Sequence, residues 1–246
     1  MRYKLLIEYD GTPFCGWQRQ EGVPTVQQTL EEAFSDFLQT ETIVWGSGRT
    51  DSGVHAKGQV AHIDCPKDYT PLKIQGAMNK RLQNVPITLL EVEEVGDDFH
   101  ARFSATSRAY EYKILNRRTP PALEKNRVLW VAHPLDIALM EEAAGYLIGH
   151  HDFSSFRDSR CQSSTPFKTL DHLSVERKGD MILIKTQARS FLHHQVRNMV
   201  GTLKRVGEGA WSPLKVKEIL EAKDRRKAGP TVLACGLYLT DIKFDS

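Results

Sequence analysis

The stretch TVQQTLEEAFSDFLQ, residues 25–39, indicates how the N-terminal half of the chain folds. Its apolar residues recur with the period of an amphipathic α-helix and form one stripe, made of Val26, Leu30, Ala33, Phe34, Phe37 and Leu38. Thr25 and Gln28 have the spacing of a capping box, so we expect the helix to begin at this threonine.

Strand patterns lie on both sides of this helix. The elements predicted around it are strands over 2–9, 42–45 and 59–63, a helix over 71–82 with Pro71 near its start, and a strand over 87–95. The resulting order, β-α-β-β-α-β, is typical of a ferredoxin-like antiparallel sheet with helices on one face.

A polar break, GDDFHARFS at 96–104, precedes a second half with a similar order of elements but no clear sequence repeat. The elements predicted there are strands over 107–115 and 128–132, a helix over 135–149, a hairpin of strands 170–177 and 181–188, a helix over 190–209 capped by Ser190, a helix over 212–226 capped by Ser212, and a strand over 236–244. We therefore expect an α+β protein of two ferredoxin-like α/β-sandwich halves with mainly antiparallel sheets. The N-terminal domain would span 1–100 and the basic C-terminal domain 101–246, with a basic cleft between them.

The composition is that of a globular protein, with 40% hydrophobic and 26% charged residues. No apolar run reaches the ~18–20 residues of a membrane span. Glu8 and Asp10 interrupt the N-terminus where a signal peptide would stay apolar, so we expect a cytoplasmic protein. The cysteines are far apart and form no CxxC pair, which favours buried thiols over disulfides or a zinc site: Cys15, Cys65, Cys161 and Cys235.

The charge is unevenly distributed along the chain. Residues 1–100 carry 9 Lys and Arg against 15 Asp and Glu, a net charge of −6, whereas residues 101–246 carry 24 against 16, a net charge of +8. The segment 101–130 is the most basic, with seven Lys and Arg against two Glu. This asymmetry predicts a polyanionic partner such as a nucleic acid, although basic residues that only solvate one face would produce the same pattern.

The segment GSGRTDSGVHA, residues 46–56, is predicted to be a loop between two strands. Its glycines would let a ligand approach closely. Arg49 and Asp51 are two residues apart, which in an extended chain puts both side chains on one side. An adjacent guanidinium lowers the pKa of an aspartate, and an ionised carboxylate suits a nucleophile or an electrostatic stabiliser. From these residues alone a turn held by its own side chains is the favoured interpretation, because Asp in turns often bonds the backbone and Arg–Asp pairs are more often structural than catalytic.

Other chemistries have weaker support in the sequence. No second carboxylate is nominated as a glycosidase acid, and the zinc deaminase, P-loop and dinucleotide-binding motifs are absent. The pairs His150–His151 and His193–His194 do not favour a metal site, because adjacent helical residues point about 100° apart. ATP and NAD are therefore not expected as cofactors.

Six segments in order carry a resemblance to a known family: EYDGTPFCGWQRQ at 8–20, GRTDSGVHA at 48–56, DDFHARFSATSRAYEYKI at 97–114, DFSSFR at 152–157, FLHHQVRNMVG at 191–201 and GLYL at 236–239. Over nearly its whole length the chain resembles the tRNA pseudouridine synthases of the TruA type. Ser52 departs from the alanine most often found in that loop, and we expect little consequence because both residues are small.

The resemblance implies that uridine is converted to pseudouridine in the anticodon arm of tRNA, at positions 38, 39 and 40, by a homodimer that needs no cofactor or metal. It aligns Asp51 with the catalytic aspartate, Arg49 with its paired arginine and Tyr110 with the tyrosine that contacts the target base. Whether the aspartate attacks C1′, attacks C6 or abstracts a ribose proton stays open. The candidates for phosphate contacts are Arg108, Arg117, Arg118, Arg157, Arg160, Lys168 and Arg197.

Two other functions remain as alternatives to the isomerase. One is an RNA-binding protein that keeps the fold without activity, against which the intact Arg49, Asp51 and Tyr110 argue. The other is a structural or interaction protein in which the GRTD loop is only a turn. Without the resemblance, Tyr110 would more simply be a core residue on one face of its strand with Tyr112 and Ile114.

Overall fold

The computed structural model describes residues 1–244. The first elements in chain order are β1 (Arg2–Tyr9), α1 (Val26–Leu38), β2 (Trp45–Gly46), β3 (His55–Asp64), α2 (Pro71–Arg81) and β4 (Ile87–Val95). They are followed by β5 (Ala105–Asn116), β6 (Leu129–Val131), α3 (Ile137–Gly145), β7 (Gly149–Asp152), β8 (Phe167–Lys178), β9 (Met181–Ala188), α4 (Gln195–Gly207), α5 (Leu214–Ala222) and β10 (Leu237–Phe244). The predicted mixed fold and the β-α-β-β-α-β order of the first half are confirmed.

The chain forms two compact units. Unit 1 consists of Met1–Thr106 together with the chain from Tyr238 onward, and unit 2 consists of Ser107–Leu237. These bounds differ from a division at residue 100, because residues 101–106 and nearly all of β10 belong to unit 1. The first unit is therefore discontinuous in sequence.

Unit 1 contains a sheet with the strand order β4-β1-β3-β10, and β2 pairs with β3. β1 lies antiparallel to both β3 and β4, whereas β10 runs parallel to β3 with Tyr238 opposite His55. Along β1 every second residue is buried, and the alternation brings Tyr3, Leu5 and Ile7 into the core. The sheet therefore carries one continuous apolar face.

The N-terminus of α1 forms as the sequence predicts, with one difference. The Thr25 side chain accepts a hydrogen bond from the Gln28 backbone N–H, at 3.3 Å. The Gln28 side chain does not return the bond as a full capping box would; its Nε2 donates to Glu32 Oε1 instead, at 2.8 Å. Pro71 occupies the first position of α2, where its missing N–H costs nothing.

Unit 2 contains antiparallel strands in the order β5-β9-β8-β7, and β6 pairs parallel with β5. The predicted hairpin of β8 and β9 is confirmed, and Gly179 has the positive φ of 60° that its turn requires. The sequence did not predict β7. The helix expected to reach residue 149 ends at Gly145, and Gly149, with φ of 110°, begins the strand.

The predicted start of α4 is wrong. Ser190 does not cap the helix, which begins at Gln195 with His194 in the N-cap position. His194 has a φ of 62°, and a residue in this left-handed conformation cannot lie inside a right-handed helix. The start of α5 is also shifted, since Pro213 rather than Ser212 precedes the first helical residue.

Two further findings concern cysteines and membrane spans. None of the four cysteines forms a disulfide, but only Cys65 is buried and the other three are half-buried, so the expectation of buried thiols holds for one of them. No helix within residues 1–244 combines the length and the apolar character needed to cross a membrane.

Candidate active site

The loop between β2 and β3, residues 47–54, is held mainly by the backbone. Trp17 N donates to Thr50 O at 3.0 Å, and Val54 N donates to Asp51 O at 3.1 Å. A third bond, from Gly53 N to a carbonyl in the 11–17 segment, lies between them. These bonds hold the main chain on both sides of Asp51.

Buried neutral side chains support the same loop. Thr50 is buried, and its Oγ1 lies 2.8 Å from the Tyr9 hydroxyl. Gln59 is fully buried, and its Nε2 donates to Gly48 O at 2.9 Å. Because buried polar groups are costly unless paired, these bonds favour one loop conformation over others.

The glycines near the loop serve different purposes. Gly53 needs its freedom for a φ of 76°, whereas a Cβ on Gly46 would lie 2.5 Å from the Trp17 ring. A Cβ on Gly48 would meet no atom within 4 Å. Gly16, outside the loop, is constrained in two ways: it has a φ of 91°, and a Cβ there would lie 2.6 Å from Thr50 O. Sequence reasoning did not single it out, because the constraint comes from a segment more than thirty residues away.

Arg49 and Asp51 occupy the accessible side of the loop. Arg49 is exposed, Thr50 is buried and Asp51 is half-buried, which is the alternation expected of an extended backbone. Arg49 Nε donates to Gln18 Oε1 at 3.1 Å, so the guanidinium is tied to the neighbouring 11–24 segment. The two charged residues are therefore presented on the side opposite the buried threonine.

His55 braces the end of the loop. Its ring is buried, stacks on Tyr238 with centroids 4.7 Å apart, and places Nδ1 3.1 Å from Gly11 N and also 3.1 Å from Asp10 Oδ1. The ring is thereby held between the Gly11 backbone, the Asp10 carboxylate and Tyr238. His55 is thus a structural member of the loop.

On β5, Tyr110 differs from the tyrosine two positions later. Tyr112 is fully buried and its hydroxyl donates to Leu233 O at 2.7 Å, and burial raises the pKa of this phenol. Tyr110 is only half-buried, and its ring meets Phe191 edge-on with centroids 5.3 Å apart. Tyr112 and Ile114 are therefore core residues, whereas Tyr110 is not enclosed in the same way.

The arginines predicted to contact substrate in unit 2 are anchored to backbone carbonyls. Arg108 Nη1 donates to Arg189 O at 2.7 Å, and Arg197 Nε donates to Val232 O at 2.9 Å. A guanidinium carries its N–H donors in a fixed fork, so each of these bonds helps to orient the whole group.

The remaining phosphate-contact candidates lie elsewhere in unit 2 with mixed surroundings. Arg157 donates to two carbonyls of the 161–163 segment, and Lys168 donates to Ser163 Oγ at 3.3 Å. Arg117 and Arg160 lie 3.6 Å and 3.5 Å from the aspartates Asp180 and Asp158. Arg118 is exposed. The acidic neighbours of Arg117 and Arg160 weaken these two residues as candidates for phosphate contacts.

Sequence reasoning missed a charged cluster at the start of α4. His194 Nδ1 lies 2.8 Å from Asp158 Oδ2, and the Arg160 backbone N–H donates to Asp158 Oδ1 at 2.9 Å. The His193 ring lies 4.0 Å from that of His194. Burial raises the pKa of Asp158, but the hydrogen bond from Arg160 and the adjacent His194 outweigh it and leave this pKa below its usual range. The adjacent histidines were the available signal, and both rings approach this aspartate.

The predicted site residues thus fall into two groups. Arg49 and Asp51 lie together on one loop of unit 1, and Arg108, Tyr110 and Arg197 belong to unit 2. Within unit 2, Arg108 and Tyr110 are two residues apart on β5, opposite Ala188 and Thr186 of β9.

Comparison with known proteins gives a consistent result. A family model described as tRNA pseudouridine synthase matches residues 5–104 and 143–245, which include the 47–54 loop and α4. A protein of Rhodospirillum rubrum named tRNA pseudouridine synthase A is 54% identical over 244 residues, covering 99% of this chain and 88% of the relative. Relatives of the same name in Paramagnetospirillum magneticum and Rhodospirillum centenum are 54% and 55% identical, covering 100% and 98% of this chain and 96% and 98% of their own length.

Proposed function

The chain belongs to the tRNA pseudouridine synthase family, and on that premise we propose that it isomerises uridine to pseudouridine in the anticodon arm of tRNA, at positions 38, 39 and 40, with Asp51 as the nucleophile. The observation that carries this proposal is the family match across the 47–54 loop, combined with a main chain that presents Asp51 on the accessible side.

The isomerisation of uridine needs little beyond a well-placed carboxylate. The N1–C1′ bond of uridine breaks, the uracil turns, and a C5–C1′ bond forms while C5 loses its proton and N1 gains one. Atoms and electrons balance without an oxidant, a reductant or a cofactor. A carboxylate that is ionised at neutral pH can hold the detached fragment during the turn.

Arg49 would position and charge the nucleophile. Its guanidinium shares the accessible side of the loop with Asp51 and is restrained through Gln18. A cation near a carboxylate favours the ionised form, which is the form that attacks. We assign Arg49 this role rather than a general contact with RNA.

Tyr110 would receive the target base. A uridine that leaves its stack loses base-stacking energy, and an aromatic face can replace about 1–3 kcal/mol of it. The ring of Tyr110 is half-buried and edge-on to Phe191, whereas Tyr112 is a core residue, so Tyr110 is the better candidate of the two to receive a base. Arg108 and Arg197, each oriented by a carbonyl, would bind phosphates of the same RNA.

Tritium release from tRNA labelled with [5-³H]uridine tests the function, because only isomerisation expels the C5 label. We expect release by the wild type and none by Asp51→Ala, while the variant still binds tRNA within about twofold of the wild type, since the loop is built by its backbone. Ser52→Ala is the matched control at the adjacent exposed position and should behave as the wild type.

Each outcome has a separate meaning. Release that survives in Asp51→Ala would contradict the nucleophile assignment. A wild type that binds tRNA but releases no label would instead favour the inactive RNA-binding alternative. Mapping pseudouridine in the product at single-nucleotide resolution separates one target position from three.

We also propose that the protein is a homodimer in which one tRNA contacts both subunits. Light scattering of the protein alone and with tRNA measures it, and a single-chain mass under both conditions would rule the dimer out.

A further inference from the structure

Unit 1 carries an exposed group of rings outside the loop already described, which we call the aromatic platform: Trp45, His100 and Phe103. The His100 ring lies 6.0 Å from that of Trp45 and 4.4 Å from that of Phe103. Trp45 is 48% exposed and Phe103 is 73% exposed. Single exposed apolar residues are ordinary, but contiguous rings on a surface mark a binding site more often.

The exposure of Phe103 is built into the backbone. Ser104 N donates to His100 O, and His100 N donates to Ser104 Oγ, both at 2.9 Å. His100 Nδ1 accepts from the backbone N–H groups of Arg102 and Phe103, at 3.1 and 3.4 Å. Because the turn satisfies its own polar groups, its conformation holds the Phe103 ring outward without burying it.

The inner side of the platform is equally well defined. His62 is buried and stacks on Trp45 with ring planes 16° apart, and its Nδ1 accepts the Ala101 N–H at 3.2 Å. Burial, followed by the charge of Arg2, lowers the pKa of His62 to about 4. The ring therefore stays neutral near neutral pH, which preserves both the stack and the acceptor.

The platform is attached directly to the loop that carries Asp51. Ser47 Oγ donates to Ala101 O, in the turn that presents Phe103, and Ser47 N donates to Val60 O at 2.8 Å. Ser47 precedes Asp51 by four residues, which span at most about 14 Å even when fully extended. Ser47 therefore joins the turn that presents Phe103 to the loop that carries Asp51.

The chemistry of the platform favours a nucleobase. The Arg102 guanidinium lies 5.6 Å from the Phe103 ring centroid. Aromatic rings beside an arginine suit unpaired bases, which stack on the rings while the cation attracts the backbone. Resting on the proposed function, we propose that the aromatic platform binds an unpaired nucleobase of the tRNA substrate.

Replacing Phe103 tests the proposal. Phe103→Ala should raise the KM for tRNA about tenfold, with a smaller fall in kcat, because stacking of one base is lost. Phe103→Trp keeps a stacking face and should restore the KM of the wild type. Leu72→Ala removes another strongly exposed apolar side chain of unit 1, 80% exposed on α2, and should leave the KM unchanged.

The controls separate failure of this inference from failure of the proposed function. If the wild type releases tritium and Phe103→Ala has a KM within twofold of Leu72→Ala, the platform does not bind RNA. If Phe103→Ala changes the oligomeric mass of the protein in solution but leaves the KM for tRNA unaltered, the platform is a protein–protein interface and the proposal is overturned. If the wild type releases no tritium, the proposed function fails, and filter binding of labelled tRNA to the same variants still decides the platform. Should Phe103→Ala unfold early in a thermal melt, Trp45→Leu provides the second variant, with the same expected loss of affinity.

Discussion

The 47–54 loop of unit 1 and the Asp158–His194 cluster of unit 2 are both polar segments, but they are held in opposite ways. Backbone groups and buried neutral side chains hold the loop, as in the bonds of Trp17 N to Thr50 O and Gln59 Nε2 to Gly48 O. A carboxylate holds the cluster, since Asp158 accepts from both His194 and the Arg160 N–H.

The two regions therefore use charge differently. In the cluster a carboxylate stabilises the structure, and in the loop Arg49 and Asp51 lie on the accessible side, where we propose that the substrate binds. In the loop, altering a charge should reduce turnover more than stability, because neutral groups maintain the backbone. In the cluster, altering the charge of Asp158 should reduce stability, because its carboxylate joins two segments of chain.

The largest expected effect comes from Gly16→Ala. The variant would force a side chain into a φ of 91° and bring its Cβ 2.6 Å from Thr50 O, so the backbone that presents Asp51 must shift. We expect turnover in the tritium assay to fall by at least about 100-fold, because misplacement of a reacting group by ~1 Å has an effect of this size.

Gly22→Ala is the control for Gly16→Ala. Gly22 has a similar φ of 76° but meets nothing within 4 Å, so it isolates backbone strain from the clash. Equal activity of the two variants would mean that the close approach to Thr50 does not position the loop.

Arg49→Ala should have the next largest effect. If Arg49 orients Asp51 as proposed, its loss should lower kcat by about 10–100-fold, with much smaller changes in tRNA affinity and melting temperature. Arg49→Lys keeps the charge without the planar fork and should recover only part of the rate. Parallel losses of turnover and affinity would instead indicate that Arg49 is an RNA contact.

Asp158→Asn should have the smallest effect. It should lower the free energy of unfolding by about 1–2 kcal/mol. The pKa of Asp158 in the folded protein is below its usual range, so its contribution is present above the unfolded-state pKa and is lost as the pH falls through the folded-state pKa. Urea unfolding at neutral and at acidic pH measures it. The difference between wild type and variant should be largest at neutral pH and shrink in acid, and a difference that is constant with pH would contradict the assignment.

Local signals predicted much of the fold. Thr25 caps α1 and Pro71 starts α2, because caps and first-turn prolines act within a few residues. The site was predictable to the extent that its residues lie close in sequence. The spacing of Arg49 and Asp51 was enough to place both on one side of the loop.

What the sequence could not predict depends on distant contacts. Ser190 is a good local cap, but His194, held by an aspartate thirty-six residues away, starts α4 instead. The constraint on Gly16 comes from Thr50, and the turn at 100–104 is recognisable as a platform only when Trp45 lies beside it. The different surroundings of Tyr110 and Tyr112 also follow from packing, because one period-two pattern contains both.

The parallel pairing of β10 with β3 has a consequence for synthesis of the protein. Tyr238 stacks on His55, which braces the Asp51 loop, yet it leaves the ribosome only after the whole of unit 2 has been made. Domains generally fold in the order of translation, but unit 1 cannot complete its sheet in that order. A chain interrupted before residue 238 therefore has His55 without the ring that stacks on it, so the support of the Asp51 loop is complete only after unit 2 has been synthesised.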